Sequence, residues 1–96
     1  MKPSEVFQLH RDTIRKLVLE SGMTNPRLFG SALHGDDIEG SDLDLLIDSG
    51  PRTSLMDVIR LKLALEDLSG IAVDVRTPGD LHRAFRDDVL SEAVSV

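Results

Sequence analysis

Residues 41 to 48 read SDLDLLID, and few stretches of this chain leave so little choice of structure. Asp42 and Asp44 alternate with Leu43 and Leu45, the run then turns apolar, and glycines at 40 and 50 bracket it. Alternation passing into an apolar run between turn residues is the pattern of a buried strand, here from about Leu43 to Asp48. A chain of 96 residues needs its apolar side chains for one core, so two carboxylates at the mouth of its central strand call for a reason.

The rest of the chain arranges itself around that strand. Ser4 can cap a helix that turns Val6, Phe7, Leu9, Ile14, Leu17 and Val18 inward, with Gly22 as its stop. PRLFG, ending at Gly30, reads as a strand, and a Gly/Asp-rich turn links it to the next as a hairpin with a long loop. Ser54 and Asp57 form a capping box opening a helix to Leu68, closed by Gly70. IAVDVR is a third strand, and Asp80 in TPGD caps a last helix from Leu81 towards Val94. The order α, β, β, α, β, α predicts an α/β (α+β) fold, a small mixed three-stranded sheet with helices packed on it, in one domain spanning 1–96.

Composition narrows the chemistry. Eleven Lys and Arg against seventeen Asp and Glu leave a net charge of −6, which phosphate backbones repel, so no long nucleic-acid substrate is expected. The absence of cysteine excludes disulfides, thiolate catalysis and cysteine-bound zinc. Neither a signal peptide nor a membrane span is expected, and the default setting is the cytoplasm.

Asp42 and Asp44, two apart on a strand, leave the same face with Cα atoms roughly 6.5–7 Å apart. Carboxylates so spaced can bracket one or two divalent ions, and Mg²⁺ suits a site built from a few carboxylates and substrate phosphates. Taken alone, Asp-Leu-Asp would equally suit the polar face of a half-exposed strand. Asp74 tips the balance, because it interrupts an apolar strand where an unpaired carboxylate is costly. At Gly30-Ser31 a phosphate can approach the backbone closely, and the Ser31 hydroxyl adds a donor. No Walker A lysine follows.

Gly30-Ser31, ten residues, then Asp42-Leu43-Asp44, with Asp74 in VDVRTP, resembles the signature of the polymerase-β-like nucleotidyltransferase superfamily. More narrowly, LFGSALHG…SDLDLLID and the tail TPGDLHRAFRDDVLSEAVSV look like the minimal nucleotidyltransferases, the MntA-type antitoxins of HEPN/MNT toxin–antitoxin pairs. The resemblance implies a palm-like core and transfer of AMP from ATP, with two Mg²⁺ ions, to a tyrosine hydroxyl of a partner HEPN toxin. It implies that Gly30 and Ser31 hold the triphosphate and that Asp42 and Asp44 bind both metals. Asp74 would bind the second metal and assist deprotonation of the attacking hydroxyl.

The chain departs from the family at GSALHG, where GSRARG is common, so both turn arginines are missing. Arg76 is one substitute for them, and a protonated His34 another; His10 and His82 are expected to be structural or solvent-exposed. Two alternatives remain open, an antitoxin that acts by binding alone and a transferase acting on a small molecule. The acids of the GDDIEG turn, Asp36, Asp37 and Glu39, are expected to be solvated, and the apolar positions of the last helix to include a partner surface.

Overall fold

The computed structural model describes all 96 residues. The first helix, α1 (Pro3–Glu20), starts with proline at a position whose N–H would have no helical partner. Ser4 is not its cap. The Glu5 carboxylate accepts from the Lys2 N–H at 2.9 Å, and the Asp37 carboxylate accepts from the Ser4 N–H at 2.8 Å. Val6, Phe7, Ile14 and Val18 are buried, whereas Leu9 is 66% exposed. Two residues from Phe7 is about 200° around a helix, so Leu9 cannot share its face.

Strand β1 (Thr24–Phe29), the one-turn helix α2 (Ser31–His34) and strand β2 (Leu43–Asp48) follow. β1 and β2 pair antiparallel, Leu28 opposite Leu45 and Phe29 opposite Asp44. Arg27 donates to Asp48 at 2.6 Å and fastens the far end of the pair. The long helix α3 (Leu55–Ser69) carries the expected capping box, Ser54 and Asp57 exchanging backbone-to-side-chain bonds of 2.9 and 3.2 Å. Gly70, left-handed at φ +74°, ends it. Strand β3 (Val73–Arg76) then lies parallel to β2, which only a crossover such as α3 allows.

The last third departs from expectation in two ways. Asp80 caps no long helix; it accepts from the Thr77 N–H and hydroxyl and closes the 3₁₀ turn Pro78–Asp80. His82 caps helix α4 (Arg83–Glu92), its Nδ1 accepting from the Ala84 N–H at 3.0 Å. The chain is extended at Ala93, and Val94–Ser95 form strand β4 against Leu28 and Arg27. The sheet therefore has four strands, in the order β3-β2-β1-β4.

Alternation divides β2 between two faces. Leu43, Leu45 and Ile47 join Ile14 and Val18 of α1 and Leu61 and Leu65 of α3 in the core. Asp44, Leu46 and Asp48 face the other side.

Candidate functional site

Strand register builds the site. Phe29 on β1 is opposite Asp44, and Asp44 on β2 is opposite Asp74 on β3. A row of three residues thus crosses the sheet face turned away from α1 and α3, with strands about 4.8 Å apart. Arg27, Leu46 and Arg76 form the next row. Asp42 lies one residue before β2 and is exposed, so it borders the row from the strand mouth. The three expected carboxylates therefore gather at one end of one sheet face.

Gly30 lies against this row. It adopts φ +77°, and a Cβ there would overlap the Asp44 carboxylate oxygen and stand 3.0 Å from Asp44 Cγ. The backbone conformation and the close approach both demand glycine. Ser31 follows immediately as the first residue of α2, whose turn closes with Leu33 and His34 N–H groups donating to the Gly30 carbonyl.

Electrostatics mark Asp44. Partial burial, and then the negative charges of Asp74 and Asp42, push its carboxyl from 3.8 up to about 6, against the pull of Arg76. Asp74 has an internal partner, its Oδ2 accepting from Arg76 Nε at 2.8 Å. The bond to Asp74 holds the Arg76 guanidinium above its ordinary value. No three acid or histidine side chains converge into a ready-made cage, and Arg76 holds Asp74 to itself. The donor set nevertheless suits Mg²⁺, which takes a few carboxylates and keeps its other positions for water and phosphate oxygens.

Other expectations resolve differently. His34 Nε2 is 3.0 Å from Glu92 Oε2, so it ties α2 to the end of α4. His82 caps α4 and stacks on Phe85. Asp37 is not solvated; it is 4% exposed, and the Ser4 N–H that it accepts holds its carboxyl below the usual range. Asp36 and Glu39 are exposed, Glu39 pairing with the chain's N-terminus.

One positioning group escaped the sequence. Glu66 accepts from the Val73 N–H at 3.0 Å and from Lys62 Nζ at 2.9 Å, while Lys62 donates to the Val73 carbonyl at 3.0 Å. These bonds tie the start of β3, and so Asp74, to α3. The i, i+4 spacing of Lys62 and Glu66 was a visible signal, but only for a pair on the helix surface.

A cleft of about 320 Å³, lined by Ser21, Gly22, Gly50, Pro51, Arg52, Thr53 and Asp57, lies at the opposite end of β2. It holds none of the three carboxylates.

Known proteins resemble this chain in sequence and fold. The profile of the nucleotidyltransferase domain matches residues 10–96. A Methanocaldococcus jannaschii relative named as a candidate protein adenylyltransferase is 39% identical over 80 residues, 83% of this chain and 86% of that one. The protein adenylyltransferase MntA of Thermococcus cleftensis is 32% identical over 91 residues, 95% of this chain and 89% of that one. A solved structure described as a candidate minimal nucleotidyltransferase superposes with a TM-score of 0.86 at 38% identity, covering 97% of this chain and 95% of that one. The fold is also that of a toxin–antitoxin complex with AMP-PNP (TM-score 0.74, 19% identity, 88% of this chain and 69% of that one). It is likewise that of the MntA–HepT toxin–antitoxin complex (TM-score 0.68, 18% identity, 92% and 69%). With a match over nine-tenths of the sequence and relatives above 30% identity along most of their length, the chain belongs to the nucleotidyltransferase domain family.

Proposed function

We propose that this protein transfers AMP from ATP, with Mg²⁺, to a tyrosine hydroxyl of a partner toxin of the HEPN class, and so acts as its antitoxin. The observation that carries the reading is Asp44 opposite Asp74 on adjacent parallel strands, with Asp42 two residues ahead and Gly30 packed against Asp44. Asp42 and Asp44 would hold two ions and Asp74 the second of them, with Gly30 and Ser31 on the triphosphate. The ions, when bound, would neutralise triphosphate charge and align the reacting groups. The acceptor oxygen would bond to the α-phosphorus, its proton passing to Asp74, while the bond to the bridging oxygen breaks and pyrophosphate leaves. At pH 7 Asp44, with its pKa near 6, is mostly ionised and ready for a cation.

The names of the relatives, protein adenylyltransferases, support a protein acceptor. The chain contains no tyrosine, so a tyrosine acceptor must arrive on another protein. We read residues 1–96 as one catalytic domain whose acceptor pocket is completed by that partner. Exposed Phe85, Leu90 and Val94, at the C-terminal end, offer it an apolar surface.

One observation favours a second reading, neutralisation by binding alone. The GSALHG turn has no arginine, and the nearby cation Arg76 is already engaged with Asp74. Mass spectrometry of the toxin after incubation with ATP, Mg²⁺ and this protein decides between them. Added AMP that disappears with Asp42→Asn or Asp44→Asn is the expected result. An unmodified toxin, inhibited in a stable complex, overturns it in favour of the second reading.

A further inference from the structure

Helix α3 is apolar on two sides. Leu61 and Leu65 are buried against the sheet, yet Leu55, Met56, Ile59 and Leu63 are 74, 54, 37 and 58% exposed. At about 100° per residue these four share an arc roughly 100° wide, turned away from the core face. A helix with apolar stripes on opposite faces is one that is covered on both.

The charges on α3 indicate the covering partner. Arg52, just ahead of the helix, and Arg60 lie towards its positive N-terminal end. Glu66, paired with Lys62, and Asp67 lie at its negative C-terminal end, whose last turn holds no basic residue. Apart from Asp57 in the capping box, this order opposes the helix's own dipole. Arg52 and Asp67 take part in no ion pair within the chain. A second copy running antiparallel satisfies both.

With a two-fold axis at Ile59, Leu55 meets Leu63 of the other copy and Ile59 meets its counterpart. Arg52 lies in the turn three residues ahead of Leu55, and Asp67 lies four residues, about 6 Å of helix rise, beyond Leu63, so the two fall at the same end of the pair. Such a contact is isologous and closes as a dimer.

We propose that the outer face of α3 is a self-association surface, taking the same face of a second copy in antiparallel register, with Arg52 against Asp67 at each end. The surface is independent of the reaction assigned above. α3 packs on the sheet face opposite Asp44 and Asp74, so pairing does not cover the carboxylate row. Four side chains cover less than the roughly 800 Å² per partner of a standard interface, so the pair is weak, with a Kd on the order of 10–100 μM.

Sedimentation velocity of the full chain from about 5 to about 500 μM tests this by mass action. The wild type is expected to pass from monomer to dimer over that range, and Leu63→Glu to remain monomeric with an unchanged melting temperature. Arg52→Glu and Asp67→Arg are each expected to weaken the dimer several-fold, and the double swap to restore it. A monomer at every concentration overturns the proposal. So does a dimer indifferent to Leu63→Glu, or one that the double swap fails to restore. If the wild type stays monomeric while a bound toxin protects α3 from amide exchange, the face belongs to that partner and the proposal falls.

Discussion

Asp44 is the residue on which site chemistry and stability pull in opposite directions. Its native pKa of about 6 lies above the ordinary 3.8. Between about pH 4 and 6 the folded protein therefore holds a proton that the unfolded chain has released, and stability falls as pH rises through that window. Asp37, Asp57 and Glu66, whose carboxyls are held down by the N–H groups they accept, act the other way, and their contribution is lost only as pH falls below about 4. Asp44→Asn is expected to flatten the slope between pH 4 and 6. It should stabilise the metal-free protein at pH 7 by about 1 kcal/mol after allowance for solvent screening. Thermal melts across the range check both statements, and the same variant should lose transfer. Gly30→Ala tests the other half of the contact. It combines strain at φ +77° with overlap of the Asp44 carboxylate, so a loss of about 1–3 kcal/mol is expected, together with weaker Mg²⁺ binding by calorimetry. Full stability with full binding would show that the approach of Gly30 to Asp44 is unimportant.

Elements reveal what the sequence made visible and what it hid. β2 was readable to the residue because an apolar run between two glycines is a local signal. α3 was readable at both ends, since a capping box and a left-handed glycine act within one turn. Asp37 was hidden because its partner, the Ser4 N–H, lies 33 residues away and nothing near Asp37 announces it. Ser4 itself suggested the wrong cap for the same reason. β4 was hidden because Val94 also fits the helical period of α4, and only pairing with Leu28 makes the segment a strand. In the candidate site, Asp42 and Asp44 were legible from their spacing and Asp74 from its place in an apolar strand, whereas the pairing of Asp74 with Arg76 and the tie from Glu66 to β3 exist only in three dimensions. The correction at Asp37 carries its own test. Asp37→Ala should lower the melting temperature by several degrees through the loss of the α1 cap, while Asp36→Ala changes it little. Equal effects would mean that Asp37 contributes no more than general surface charge.

At the scale of the whole molecule, functions separate by face. The carboxylate row occupies one side of the sheet, and α1 and α3 cover the other. No helix is long and apolar enough to cross a membrane. The exposed apolar side chains near the C-terminus, Phe85, Leu90 and Val94, are available to a partner. Phe85→Glu and Leu90→Glu are expected to reduce co-purification of the toxin at least tenfold, while Mg-ATP binding to the isolated protein stays at the wild-type level. Undiminished capture of the toxin by both variants would direct the search to another surface.

The placement of Asp74 on β3 has a consequence for motion. β3 is a four-residue edge strand whose one partner in the sheet is β2, and the ties to α3 hold only its first residue, Val73, so Asp74 to Arg76 can open at little cost. Each opening carries Asp74 away from Asp44 and dissolves the row. A ligand that bridges the two strands can exist only on the closed form, so it acts as a clasp on the edge and slows local unfolding there. Amide exchange at residues 73 to 76 should therefore slow when Mg-ATP binds, while exchange at Val94 and Ser95, on the other edge, stays as it was. Occupancy of the site becomes readable from the rhythm of a single strand, with no turnover needed.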